Sequence, residues 1–214
     1  MWADLLLQAA LILLAVAMFL SMHNIPQTIF TKLRTRSQSR TIQARRHFVL
    51  GAQRLDRARS GKELSSSMRI SLAKSAEEEA DRAIGLDIKD AAPHLLKAMA
   101  LEVQGFKTSA IGAMDVALSP LAAKSLSDSE RAEALHKRAA LRIATSLDGE
   151  LDSAIADLVD SVWLKGDDVK ARCLLGECYE KKGLKVEAQK CYEDALKVQP
   201  DYSPAQVALS RLAA

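Results

Sequence analysis

Small residues recur in this chain at a fixed interval. Gly149 and Gly183 stand 34 residues apart, as do Ala154 and Ala188, Leu158 and Tyr192, and Ser161 and Ala195. The same interval separates Ala76 from Ala110 and Ala83 from Ala117. Between these blocks the spacing lengthens to 44, from Gly105 to Gly149 and from Ala110 to Ala154. An insertion of ten residues explains the difference, and residues 118–135 are the place for it. A unit of this length is one supersecondary element. It cannot cover its own apolar face, so several must stack into a continuous core.

The spacing within the unit specifies a helical hairpin. A glycine at the turn lets the first helix end in a left-handed residue. An alanine five residues later lets the second helix approach the first. A large residue four further on fills the gap between hairpins, and another small residue marks the next close contact. Composition agrees. Aromatics make up only 4% of the chain, Ala and Leu favour helices, and the β-branched and aromatic runs that strands need are missing. The fold class expected is all-α.

The pattern resembles the tetratricopeptide repeat family. The best match covers residues 169–202, where Leu175, Gly176, Tyr179, Gly183, Ala188, Tyr192, Ala195 and Pro200 fall on the signature positions. Arg172 stands where the family has Trp. Residues 135–168 keep Leu141, Gly149, Ala154 and Leu158, but carry Thr145 for Tyr and Gly166 for Pro. Residues 91–134 keep Gly105, Ala110, Met114 and Ala117. Residues 41–90 offer Leu50-Gly51 in a first helix and Ala76, Ala80 and Ala83 in a second, with an enlarged Ser-rich turn. Residues 203–214 suit a capping helix. The resemblance implies a domain over 41–214, built as antiparallel hairpins in a right-handed superhelix.

Residues 5–22 are apolar apart from Gln8 and Ser21. As a helix they extend ~27 Å, close to the hydrocarbon thickness of a bilayer. Leu5, Leu6, Leu7, Leu11, Ile12, Leu13, Leu14, Val16, Phe19 and Leu20 would face lipid. Residues 1–24 are therefore expected to be a transmembrane anchor that Pro26 terminates. A basic juxtamembrane linker over 25–40 is expected to follow. Residues 32–62 hold ten Lys and Arg against Asp56 alone, a net of +9. The whole chain is +3 and residues 1–31 contribute only Asp4, which leaves residues 63–214 at −5. Lys and Arg stay on the cytosolic side of a membrane, so the repeats are expected in the cytosol, on endoplasmic reticulum or on a mitochondrial or plastid outer membrane.

The resemblance also implies a peptide-binding groove lined by first helices. Its positions carry over to Leu95, Met99 and Glu102, then His136, Ala139 and Ile143, then Lys170, Cys173 and Glu177. This set suits an amphipathic or apolar protein segment. Some relatives hold acidic chaperone tails in a clamp of Lys, Arg and two Asn. Here those positions hold Phe48, Ala52, Leu95 and Leu174, which cannot donate, and only Lys170 matches.

Other chemistry is thin. Cys173, Cys178 and Cys191 are odd in number and lie in one hairpin, so they read as reduced packing residues. No histidine pairs with a Cys or carboxylate at a catalytic spacing, and Gly183-Leu184-Lys185 lacks the strand and glycines of a phosphate loop. The expectation is a non-enzymatic adaptor with no cofactor, metal, small-molecule substrate or nucleic acid. The alternatives are a structural subunit of a membrane complex, or an import or co-chaperone receptor.

Overall fold

The computed structural model describes residues 2–22, 25–61, 64–145 and 149–213, with side chains except at 3–5, 17, 20–37 and 213. It contains two compact units, residues 1–43 and 44–214.

The first unit holds α1 (Trp2–Met22) and the start of α2 (Ile25–Ser60). The side chains of Leu6, Leu7, Leu11, Ile12, Leu13, Leu14, Val16 and Phe19 are 48–70% exposed. Those of Leu5 and Leu20 lie outside the described residues. Among the described residues no helix is long and apolar enough to cross a membrane. The span expected over residues 1–24 is therefore not found among the described residues. Residues 25–40, expected as a basic linker, lie within α2. Pro26 occupies the first turn of α2, where the N–H it lacks has no intrahelical partner to lose.

The second unit is a run of helical hairpins. The later part of α2 packs on α3 (Ser66–Leu86) through Leu55 against Ala76 and Ala80 and through Arg54 to Glu79, and α4 (Ala91–Gln104) pairs with α5 (Lys107–Ala117), α6 (Asp128–Thr145) with α7 (Glu150–Leu164), and α8 (Val169–Lys181) with α9 (Lys185–Val198). The last helix, α10 (Ser203–Ala213), packs on α9. Helix starts are specified locally. Asp90 and Asp168 accept the Ala92 and Ala171 N–H groups, each at 3.0 Å. At α6, the Glu130 carboxylate accepts the Ser127 N–H at 2.8 Å and the Ser127 hydroxyl accepts the Glu130 N–H at 3.3 Å, a reciprocal capping box.

The three turn glycines of the 34- and 44-residue spacings, Gly105, Gly149 and Gly183, have φ of 89°, 87° and 77°. At two of these turns the next N–H reaches back over the helix end, Phe106 to Leu101 O and Leu184 to Tyr179 O, both at 2.9 Å. The small positions of the repeat are buried without exception: Ala76, Ala110, Ala154 and Ala188 at the first, and Ala83, Ala117, Ser161 and Ala195 at the second. Ala80, Met114, Leu158 and Tyr192 fill the position between them. The ten residues 118–127 separate α5 from α6 and contain a 3-10 turn, Ala123–Ser125. They are pinned by buried Ala122, which joins Ala91 and Ala117.

Candidate functional site

The first helices α4, α6 and α8 present two adjoining concavities. The smaller, of about 160 Å³, is lined by Leu95 and Met99 of α4, Met114 of α5, and Glu130, Glu133, Ala134 and Lys137 of α6. Apolar side chains form its floor. Its thioether is flanked by two cations: Lys137 Nζ lies 3.5 Å and Arg59 Nη1 3.6 Å from Met99 Sδ. Arg59 is also paired with Glu102 at 3.1 Å.

The larger concavity, of about 590 Å³, is lined by Glu133, His136 and Lys137 of α6, by Lys165, Asp167 and Asp168 of the turn between α7 and α8, by Val169 and Lys170 of α8, and by Gln199 and Tyr202 before α10. Glu133 and Lys137 belong to both concavities and pair with each other at 3.3 Å. Asp168 is committed to structure. His136 Nδ1 lies 3.6 Å from its Oδ2 and the Ala171 N–H donates to its Oδ1. The imidazole, that N–H and the Lys165 charge hold the Asp168 carboxyl down at about 2, against the burial that would raise it. Lys165 and Lys170 make no ion pair among the described residues.

The structure thus distributes the expected groove residues unevenly. Leu95, Met99, His136 and Lys170 line the concavities. Glu102 is exposed beside them and tied to Arg59, and Glu177 is exposed on α8. Ala139 and Cys173 are buried in the core between helices and offer no surface, a correction to the expected groove. Ala139 packs against Ala154 and Leu158 of α7, and Cys173 against Ala188 and Tyr192 of α9. Ile143 is half-buried against the same core as Ala139. The positions of the chaperone-tail clamp hold Phe48, Ala52, Leu95 and Leu174, all half-buried against core clusters.

Sequence reasoning missed Met114, Lys137, Lys165, Gln199 and Tyr202. Four of them lie in turns or second helices, which a first-helix pattern does not address. The only signal for Lys165 and Tyr202 was their place at the turn flanking each first helix.

Burial pushes the Cys173, Cys178 and Cys191 thiols up to about 11, so they are protonated packing residues at neutral pH. Among the described residues no group of three or more His, Cys, Asp or Glu side chains is arranged to hold a metal ion.

No family model and no curated protein matches the sequence. Solved structures do match the fold. A crystal structure of MamA superposes with a TM-score of 0.53 at 24% identity, over 63% of this chain and 74% of that one. The crystal structure of YrrB, described as a TPR protein with an unusual peptide-binding site, superposes with a TM-score of 0.53 at 16% identity, over 68% and 73%. The Cut9–Hcn1 hetero-tetramer of APC/C gives 0.60 at 17% identity, over 78% of this chain and 29% of that one. This chain therefore has a tetratricopeptide-like fold.

Proposed function

We propose that the chain is a non-enzymatic scaffold whose α4–α6–α8 face holds a segment of a protein partner, while its N-terminal helix anchors it in a membrane with the repeats in the cytosol. The observation that carries the first part is the pair of adjoining concavities, one apolar and one polar, that share Glu133 and Lys137. Such a surface suits a peptide with alternating chemistry. A peptide-binding site in YrrB, a protein of the same fold, is consistent with it.

The anchor rests on sequence and exposure. Residues 5–22 carry no charged side chain, and the side chains of Leu6, Leu7, Leu11, Ile12, Leu13 and Leu14 are 60–70% exposed. The +9 segment behind them sets the orientation. Endoplasmic reticulum and mitochondrial or plastid outer membranes both suit this pattern, and recruitment of a cytosolic protein to such a surface is the adaptor reading. A structural subunit of a membrane complex is the second reading. It is favoured by Trp163, 82% exposed on α7, with Val159 exposed one turn before it.

Proximity labelling from the C-terminus in intact cells tests partner and membrane together. The expected result is labelling of cytosolic proteins and of one organelle's surface proteins, with the protein resisting alkaline carbonate extraction. Release into the carbonate supernatant would end the anchor reading. Labelling of a fixed set of membrane subunits alone would favour the second reading.

A further inference from the structure

We propose that the outer face of the first hairpin seats on an anionic lipid surface, with Arg46 and Arg57 meeting phosphate groups and Leu50, Leu64, Met68 and Leu72 meeting acyl chains. This rests on the membrane reading above and adds a second contact with that membrane, made by the repeat body itself.

One side of the first hairpin is covered: Leu55 of α2 and Ala76 and Ala80 of α3 pack on Leu96 and Ala100 of α4. Away from α4, the hairpin leaves a surface cleft of about 580 Å³. It is lined by Arg57, Ser60 and Gly61 at the end of α2 and by Leu64, Met68, Ser71 and Leu72 at the start of α3. Arg57 is the one charged side chain lining it among the described residues. Met68 is 54% exposed and Leu50 36%. Arg46, Leu50 and Arg57 lie at helical spacing on one face of α2. Neither Arg46 nor Arg57 makes an ion pair among the described residues, whereas Arg54 and Arg59 are held by Glu79 and Glu102. Glu77 and Asp81 are turned toward α4, bonded by Gln104 and Lys97. Asp56 is exposed but, as the sequence neighbour of Arg57, points to a different side of the helix. Residues 44–86 hold nine Lys and Arg against six Asp and Glu, a net of +3, while residues 87–214 hold 17 against 20, a net of −3. The hairpin that carries the cleft is thus the positive part of the repeat body. A cover for this face must bring apolar groups and negative charge together. An uncharged helix would bury Arg57 without a counter-charge. A second copy docked by the same face would bring more arginines and no further acid to the cleft. Anionic phospholipid supplies acyl chain and phosphate in one layer, and arginine keeps its guanidinium at the headgroups while its stem lies on apolar groups.

Hydrogen exchange of the full chain on vesicles tests the proposal, with flotation as the control for the anchor. One set of vesicles is phosphatidylcholine alone and the other is phosphatidylcholine mixed with phosphatidylglycerol. Amides of residues 64–72 should exchange at least fivefold more slowly on the mixed vesicles than on the neutral ones, with α6 to α9 unchanged. Arg46→Glu combined with Arg57→Glu, both at exposed positions, should abolish that difference, and Arg46→Lys combined with Arg57→Lys should keep it. Equal exchange on the two vesicles, while the protein floats with both, would discard the lipid seat and leave the anchor standing. Slowing that persists in the double Glu variant would also discard it. Flotation with the mixed vesicles alone, lost in the double Glu variant, would keep the seat and end the anchor reading. Flotation with neither would end both.

Discussion

The backbone of Gly176 lies so close to the Tyr192 ring that a Cβ on the glycine would stand 2.6 Å from Cε1 and 2.7 Å from Cζ. The ring cannot move aside, because Tyr192 is 1% exposed and its hydroxyl donates to Glu180 at 2.6 Å. Alanine is worth about 1 kcal/mol over glycine in a helix interior, but overpacking a core costs about 1–3 kcal/mol. Gly176→Ala should therefore lower stability overall. A rise in the denaturant midpoint would show that α8 and α9 have room to separate.

Ala188 and Lys185 test the register of the same hairpin. Ala188 is buried in the last core cluster, while Lys185 is exposed at the start of α9. Ala188→Leu should destabilise by about 1–3 kcal/mol, and Lys185→Leu should change stability by no more than about 0.5 kcal/mol. The reverse order in urea titrations would dismiss the assignment of Gly183, Ala188, Tyr192 and Ala195 to their repeat positions.

Asp157 is a buried carboxylate, 5% exposed, held by two arginines of the partner helix. Arg138 donates to it at 2.9 and 2.5 Å and Arg142 at 3.0 Å, and Arg138 also reaches Asp115 of α5 at 2.8 Å. Removing the shared acceptor leaves two mostly buried guanidinium groups without their buried partner, with only the more exposed Asp115 and, for Arg142, Glu150 remaining. Asp157→Ala should cost about 3–5 kcal/mol, whereas Asp115→Ala, at the exposed end, should cost about 1 kcal/mol or less. Equal effects in chemical denaturation would mean that solvent already neutralises the arginines.

The low Asp168 pKa has a sign that can be worked out. Its folded value of about 2 lies below the ordinary 3.8, so the native state favours the ionised form. The stability this contributes is present above about pH 4 and is lost as pH falls toward 2, in an amount of up to about 2 kcal/mol. Asp168→Asn keeps an N-cap acceptor for the Ala171 N–H but cannot titrate. Between pH 4 and 2 the wild-type protein should therefore lose more stability than the variant. Parallel curves from thermal melts across that range would assign the acid sensitivity to other carboxylates.

The repeat body was legible because its determinants are local and discrete. Three glycines set three left-handed turns, and small residues at fixed intervals became the buried crossings of Ala110, Ala154 and Ala188. The groove was less legible. Whether a first-helix residue faces partner or core depends on how far neighbouring hairpins rotate, and Ala139 and Cys173 turned inward. Lys165 and Tyr202 came from turns, whose positions no helical period fixes. Pro26 was misread because proline both ends helices and begins them, and the flanking residues do not distinguish the two.

The insertion between α5 and α6 breaks the period without opening the core. Ala122 is buried against Ala91 and Ala117, and the Ser125 hydroxyl accepts the Ala91 N–H at 2.9 Å. Asp115 reaches across the same seam to Arg138. In a stack whose hairpins touch only their neighbours, cooperativity is passed along one dimension and breaks where a junction is weakest. The two hairpins before the seam and the two after it would then exchange amide protons as two blocks. A protease, or a pulling force applied at the C-terminus, would meet the chain first as a pair of hairpins peeling away together.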